Sequence, residues 1–269
     1  MITANREREF YDRQYAQFLT LPDHALRIDR KVLEESIENP SRPSYERRCL
    51  YRATMKALEG ARGKVLDYGC GPADFGLWMA TEGADVTVLD LSPAAIEVAL
   101  KRARASRVTV RGISADATAL TMLNYGEFDL VFACAALHHT LKYPGAVEEL
   151  ARIMKPGARL VLCETWGGNP VLNLARKLRA SFAGEQEEQG EDIILSKKAL
   201  QALDPYFAGV RVDAMNLLAM GKRVLRGRFG KVWARSVLHA LESIDAALLS
   251  IAPPLRNWCG EAVITGTRR

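Results

Sequence analysis

No apolar run in this 269-residue sequence approaches the roughly 18 residues a membrane-spanning helix needs. The opening stretch, MITANREREF, lacks the apolar centre of a secretory signal. Both absences lead to the expectation of a cytoplasmic protein. There is no CxxC pair, so zinc spacing is missing and no metal site is expected. The five cysteines (Cys49, Cys70, Cys134, Cys163 and Cys259) are scattered and odd in number, as free, mostly buried thiols in a reducing compartment would be. No internal repeat is present. Acids are missing from residues 221–235, GKRVLRGRFGKVWAR, which contribute to a net charge of +5. Such a basic stretch suits nucleic acid, anionic lipid, an acidic substrate or simply water on a helix face.

What is present is ordinary for a folded chain: 48% hydrophobic and 26% charged residues, enough for one large domain or a domain with an added cap. Residues 5–19 carry Phe10, Tyr11, Tyr15, Phe18 and Leu19 at helical spacing. A second helix is expected over 44–59, with Ser44 as N-cap and a polar connection before it. From residue 64 strands and helices alternate. KVLDY, DVTVLD, VTVRGI, FDLVFAC and ARLVLCET read as strands. FGLWMATEG, SPAAIEVALKRARA and YPGAVEELARIM read as helices, and KPG as a turn. This order predicts parallel βαβ units in an open doubly wound α/β sheet. After Thr165 the regularity fails, and the acidic run 185–192 lies in what looks like an exposed insertion. FAGVRVDAM and GEAVITGT are expected as closing strands around a long amphipathic helix, 229–251.

The stretch KVLDYGCGPADFG carries the chemistry. Gly69 and Gly71 mark a backbone that approaches something closely. A P-loop would need Lys-Ser or Lys-Thr after the glycines, and neither is there. A dinucleotide fingerprint would place its third glycine where Asp74 stands, and an aspartate there repels phosphate, which weakens that reading. A ligand with an adenosine end and a cationic end fits better, because acids near the loop then become favourable. Asp67 ends the first strand and could face the cation. Asp90 ends the second strand, where a carboxylate can accept ribose hydroxyls. Asp116 follows the third strand, placed for an adenine amino group, with the Ala117 backbone N–H at the ring.

These stretches together, VLDYGCGPADFG, VTVLDLSPAAIEVA, ISADATAL, EFDLVFACAALHHT and LARIMKPGARLVLCET, resemble the class I S-adenosylmethionine (SAM)-dependent methyltransferases, in the right order over residues 60–165. The resemblance is greatest to the small-molecule branch, which includes quinone-biosynthesis and natural-product enzymes. One departure is Ala73, where the family often has glycine. The resemblance implies a mostly parallel seven-stranded Rossmann-like sheet with an N-terminal helical cap (1–60), a SAM-binding core (61–165) and a lid with closing strands (166–269). It implies S-adenosyl-L-methionine as cofactor, held by Asp67, Gly69, Cys70, Gly71, Asp90, Leu91, Asp116, Ala117, Ala133 and Tyr11, and a small-molecule acceptor methylated at oxygen, nitrogen or carbon.

The donor is already activated, so positioning and water exclusion can supply much of the catalysis. A base is needed only if the acceptor must lose a proton. His138 and His139, leaving the fourth strand, are the candidates, and the alternative is one packed and one solvated histidine. Tyr15 or Tyr11 is expected to line the methyl site from the first helix, or else to belong to a plain core stripe. Trp166 and Asn169 are further acceptor-pocket candidates. Two other readings remain open: an RNA or protein methyltransferase, and a non-catalytic SAM-binding protein. Nucleic acid is disfavoured, since no RNA-binding module is appended and no [DN]PP[YF] signature follows the fourth strand. A peripheral membrane contact through 221–244 is a fourth expectation, and the sequence leaves the oligomeric state open.

Overall fold

The computed structural model describes residues 4–116, 120–141, 143–174 and 195–269, with side chains from residue 6 onward. The N-terminal third is helical: α1 (Ala4–Ala16), α2 (Asp23–Leu26), α3 (Arg30–Glu38) and α4 (Arg48–Leu58). Then come β1 (Lys64–Tyr68), α5 (Asp74–Thr81), β2 (Asp85–Asp90), α6 (Pro93–Ala105), β3 (Arg111–Ser114) and β4 (Phe128–Cys134). A short α7 (Leu137–Thr140), α8 (Ala146–Ile153) and β5 (Met154–Thr165) follow. The last third holds α9 (residues 170–174), α10 (Lys197–Leu200), β6 (Phe207–Met215), α11 (Val232–Ile251) and β7 (Glu261–Arg268).

The strands form one seven-stranded sheet in the order β3-β2-β1-β4-β5-β7-β6. All pairs are parallel except those of β7, which runs antiparallel to both β5 and β6. Successive strand residues serve opposite faces. Leu66, Leu89 and Leu162 join one apolar cluster, while Val65, Val88 and Val161 join the other. Burial on both faces explains why these strands read as unbroken apolar runs. The chain winds from β1 outward to β3, then returns to lay β4 against the other side of β1. That reversal falls between β1 and β4, and the carboxyl ends of strands at such a point are where open α/β sheets bind ligands.

The cap differs from the expectation. The connection before the second helix contains α2 and α3, whose Leu26, Leu33 and Ile37 are buried. Asp29 caps α3 by accepting from Val32 N at 2.9 Å. Ser44 is not an N-cap. It donates to Ser36 O, and α4 begins four residues later behind a 3-10 turn. KPG is not a turn between elements either; it lies inside β5, beside a register shift against β4. Of the thiols expected to be mostly buried, Cys163 and Cys259 are, whereas Cys49, Cys70 and Cys134 are half-buried. The acidic run 185–192 and Ala117 lie outside the described residues.

Candidate functional site

The turn after β1 is built to bring backbone close. Gly69 and Gly71 have φ of 67° and 49°, in the left-handed region that glycine tolerates. Ala73 has φ of 59°, so alanine occupies a conformation that glycine would adopt without strain. Asp74 opens α5 and binds Arg102 Nη2 at 2.7 Å. Arg102 also donates to the carbonyls of Pro72 and, at 3.1 Å, Leu26, so one buried guanidinium ties the glycine turn to the cap. The aspartate that argues against a diphosphate therefore has a structural partner.

Asp67 and Asp90 stand at the tips of β1 and β2. Asp67 is 2% exposed, and Oδ2 accepts from Gly76 N at 3.2 Å. A Cβ on Gly76 would lie 2.4 Å from that oxygen, so only glycine fits there. Asp90 is buried, with Oδ2 accepting from Gly71 N at 2.8 Å and Oδ1 from Ser92 N at 2.9 Å. Each of its oxygens keeps a lone pair for a ligand hydroxyl. Burial, and secondarily the neighbouring charges, push both carboxyls up: Asp90 acts on Asp67, and Asp12 and Glu7 act on Asp90. Backbone N–H donors oppose this without reversing it. Neither carboxylate has a cationic partner within 4.0 Å among the described residues.

Helix α1 lies over this turn. Asp12 Oδ1 accepts from Ser92 Oγ at 2.5 Å and from Ala94 N at 3.2 Å, at the N-terminus of α6 where negative charge is favourable. The Tyr15 hydroxyl sits where a Cβ on Gly71 would come within 2.8 Å of it. Burial, and then the charge of Asp90, hold that hydroxyl firmly protonated. Tyr11 stacks on Tyr15 with ring centroids 5.8 Å apart. Tyr11, Tyr15, Gly69, Cys70, Gly71, Asp67 and Asp90 thus lie around one turn, with half-buried Leu91 directly after Asp90. Ala133 pairs with Tyr68 across the β1–β4 seam. Asp116 is exposed beyond β3, near enough to Tyr68 to add to the burial that raises its phenol.

The loop after β4 brings both histidines to the same edge. His138 Nδ1 is 2.7 Å from Glu164 Oε2, and Glu164 Oε1 accepts from Leu137 N at 3.0 Å. With Glu164 ionised, Nδ1 carries the proton and the Nε2 lone pair is free to accept one. The His139 ring lies 4.2 Å from that of His138, and its Nδ1 is 3.1 Å from Glu7 Oε1 on α1, without hydrogen-bond alignment. Sequence reasoning missed Glu164, although its signal was visible: an acid closing a buried strand, as Asp67 does. It also missed Glu7 and Asp12, surface-type residues of a helix noticed only for its aromatics. Trp166 is fully buried with Nε1 unpartnered, and Asn169 bonds Trp258 O and caps α9 through Val171 N and Leu172 N.

Residues 65–157 match the family model described as a methyltransferase domain. A demethylmenaquinone methyltransferase from Thermus thermophilus is 36% identical over 115 residues, covering 42% of this chain and 52% of that protein. A ubiquinone biosynthesis O-methyltransferase from Alkalilimnicola ehrlichii is 34% identical over 144 residues, covering 54% and 55%. The chain thus spans about half the length of these curated relatives. Among solved structures, a geranyl diphosphate C-methyltransferase from Streptomyces coelicolor, in complex with S-adenosyl-L-homocysteine, shares the fold. Its TM-score is 0.56 at 19% identity, over 96% of this chain and 98% of that one.

Proposed function

We propose that this chain, whose residues 65–157 form a class I SAM-dependent methyltransferase domain of the small-molecule branch, transfers a methyl group from S-adenosyl-L-methionine to a small organic acceptor. The observation that carries this reading is the pair of buried carboxylates, Asp67 and Asp90, at a glycine turn with no cationic partner among the described residues. A ligand with positive charge and ribose hydroxyls satisfies both, and a diphosphate satisfies neither. When bound, the cofactor supplies a methyl group activated by a positively charged sulfur. The chain's residues then have three tasks. Asp67 faces the cationic end, and Asp90 accepts from the ribose. Tyr15 and Tyr11, on α1, cover the glycine turn and keep water out. His138, fixed by Glu164, takes a proton from an acidic acceptor group through Nε2.

The relatives act on lipid-quinone precursors according to their names, and a quinone-like, natural-product or lipid-like acceptor is the class proposed here. The basic stretch gives little support to an RNA reading. Lys222 is buried on Glu261 and Arg226 is paired with Glu46. No described helix is long and apolar enough to cross a membrane, and we place the reaction in the cytoplasm. Incubation with methyl-labelled cofactor and a panel of phenolic, enolic and amine acceptors tests the proposal. S-adenosylhomocysteine and a labelled product are expected. Tight cofactor binding with no turnover on any acceptor would favour the non-catalytic reading instead.

A further inference from the structure

The outer face of α11 is apolar along its length. Trp233, Val237, Ala240, Ile244, Ala247 and Ile251 are all exposed, at spacings of four, three, four, three and four residues. At about 100° per residue these six side chains fall in a stripe about 80° wide. Trp233 is 50% exposed and Ile251 82%. The inner face is separate, formed by Ala234, Leu238, Asp245 and Leu249. No charged side chain lies in the outer stripe. Arg235 and Glu242 project from the far flank, where Arg235 bonds the carbonyls of Phe229 and Gly230, and Glu242 holds Arg48. Two of the three serines beside the stripe are turned back on their own helix. Ser243 Oγ donates to His239 O at 2.9 Å and Ser250 Oγ to Ala247 O at 2.7 Å. This helix therefore carries two apolar seams, and the fold uses one of them. A polar outer face is the usual solution for a surface helix.

We propose that the occupant of this second seam is the same seam of a second copy, packed antiparallel about a two-fold axis near residue 242. Three observations select that partner. The spacing of the stripe is palindromic, so one rotation brings 233 opposite 251, 237 opposite 247 and 240 opposite 244. Sizes then complement each other: Ile244 meets Ala240 and Val237 meets Ala247, large against small, as facing layers of packed helices require. This is the isologous contact of a C2 dimer, in which the same patch serves both subunits. Charge chooses the direction. The basic residues Arg228 and Lys231 precede the helix, and the stripe from 233 to 251 is about 27 Å long at 1.5 Å per residue. Antiparallel pairing separates the two basic ends by more than a Debye length of about 10 Å, whereas parallel pairing would set them side by side. The size is adequate as well. The stripe with adjoining Val232 and Trp258, 69% and 46% exposed, offers on the order of 800 Å² per copy, the scale of a standard interface. A lipid surface fits less well, because the cations that would meet its headgroups are partly committed within the fold, Lys222 to Glu261 and Arg226 to Glu46.

The test is sedimentation equilibrium of the full chain across 1–100 µM. The wild type is expected to be a dimer, and Ile244→Glu to weaken association at least 100-fold with an unchanged circular dichroism spectrum. Mixing Ala240→Cys with Ile244→Cys protein under mild oxidant distinguishes the register. The mixed pair is expected to cross-link while each variant alone does not. Self-cross-linking of Ala240→Cys alone would mean parallel packing and would overturn the proposal. So would a monomeric wild type at 100 µM. A monomer that binds phosphatidylglycerol vesicles, and loses that binding in Ile244→Glu, would assign the face to a membrane and overturn it too.

Discussion

Two buried carboxylates at strand ends, Asp67 and Glu261, are each 2% exposed and differ in everything else. Glu261 begins β7 with Lys222 Nζ at 2.8 Å, the Asn216 amide as a further donor, and Arg47 Nε at 4.0 Å. Burial alone would raise its carboxyl, but the charges of Lys222 and Arg47 outweigh it and hold the group below the usual glutamate range. Asp67, next to last in β1, has one backbone N–H and acidic neighbours, and burial pushes its carboxyl well above the usual aspartate range. Among the described residues, Glu261 has a cation beside it and Asp67, at the carboxyl end of β1, has none. A buried acid without its cation costs stability, and a cationic ligand recovers that cost on binding.

The comparison makes opposite predictions for the two sites. Lys222→Met strands the Glu261 carboxylate and is expected to cost about 3–5 kcal/mol in denaturant unfolding, with cofactor affinity little changed in the protein that remains folded. Asp67→Asn is expected to do the reverse. Cofactor affinity falls roughly 10- to 100-fold by calorimetry, about 1.4–2.8 kcal/mol, while stability without cofactor holds or rises. A matched loss of stability in both variants would erase the distinction.

Acid titration sharpens the contrast. Glu261 has a lowered folded value, so its contribution is present above the usual carboxylate range and lost as pH falls through the folded value. Asp67 has a raised folded value, so its contribution is full below the usual range and is lost as pH rises through the folded value. Replacing Asp67 by Asn should therefore flatten the decline of cofactor-free stability with rising pH, read by thermal unfolding across pH 4–8. The smallest effect expected is at Tyr15. Tyr15→Phe keeps the ring over Gly71 and removes the hydroxyl, weakening cofactor binding several-fold.

Much of the architecture was legible because both faces of the sheet are buried. FDLVFAC and FAGVRVDAM coincide with β4 and β6. The glycine turn and its acids were legible because each is local in sequence. The cap was not: α2 and α3 are short, and their apolar residues gain meaning only against partners far along the chain. Glu164 escaped notice because its role depends on His138, twenty-six residues earlier on α7. The basic stretch misled for a related reason, since sequence shows charge but not that Glu261 and Glu46 had already taken part of it.

The central claim is that the cation absent beside Asp67 is the cofactor's. Binding should then lower the Asp67 carboxyl and release a proton at pH values between its value with the cofactor bound and its raised value in the empty protein. Titration calorimetry of S-adenosyl-L-methionine in two buffers of different ionisation enthalpy reads that proton directly. The account predicts proton release from the wild type in mildly acidic buffer and less from Asp67→Asn. Binding without proton release in either protein, or uptake of NADH with none of the adenosyl donor, would contradict it.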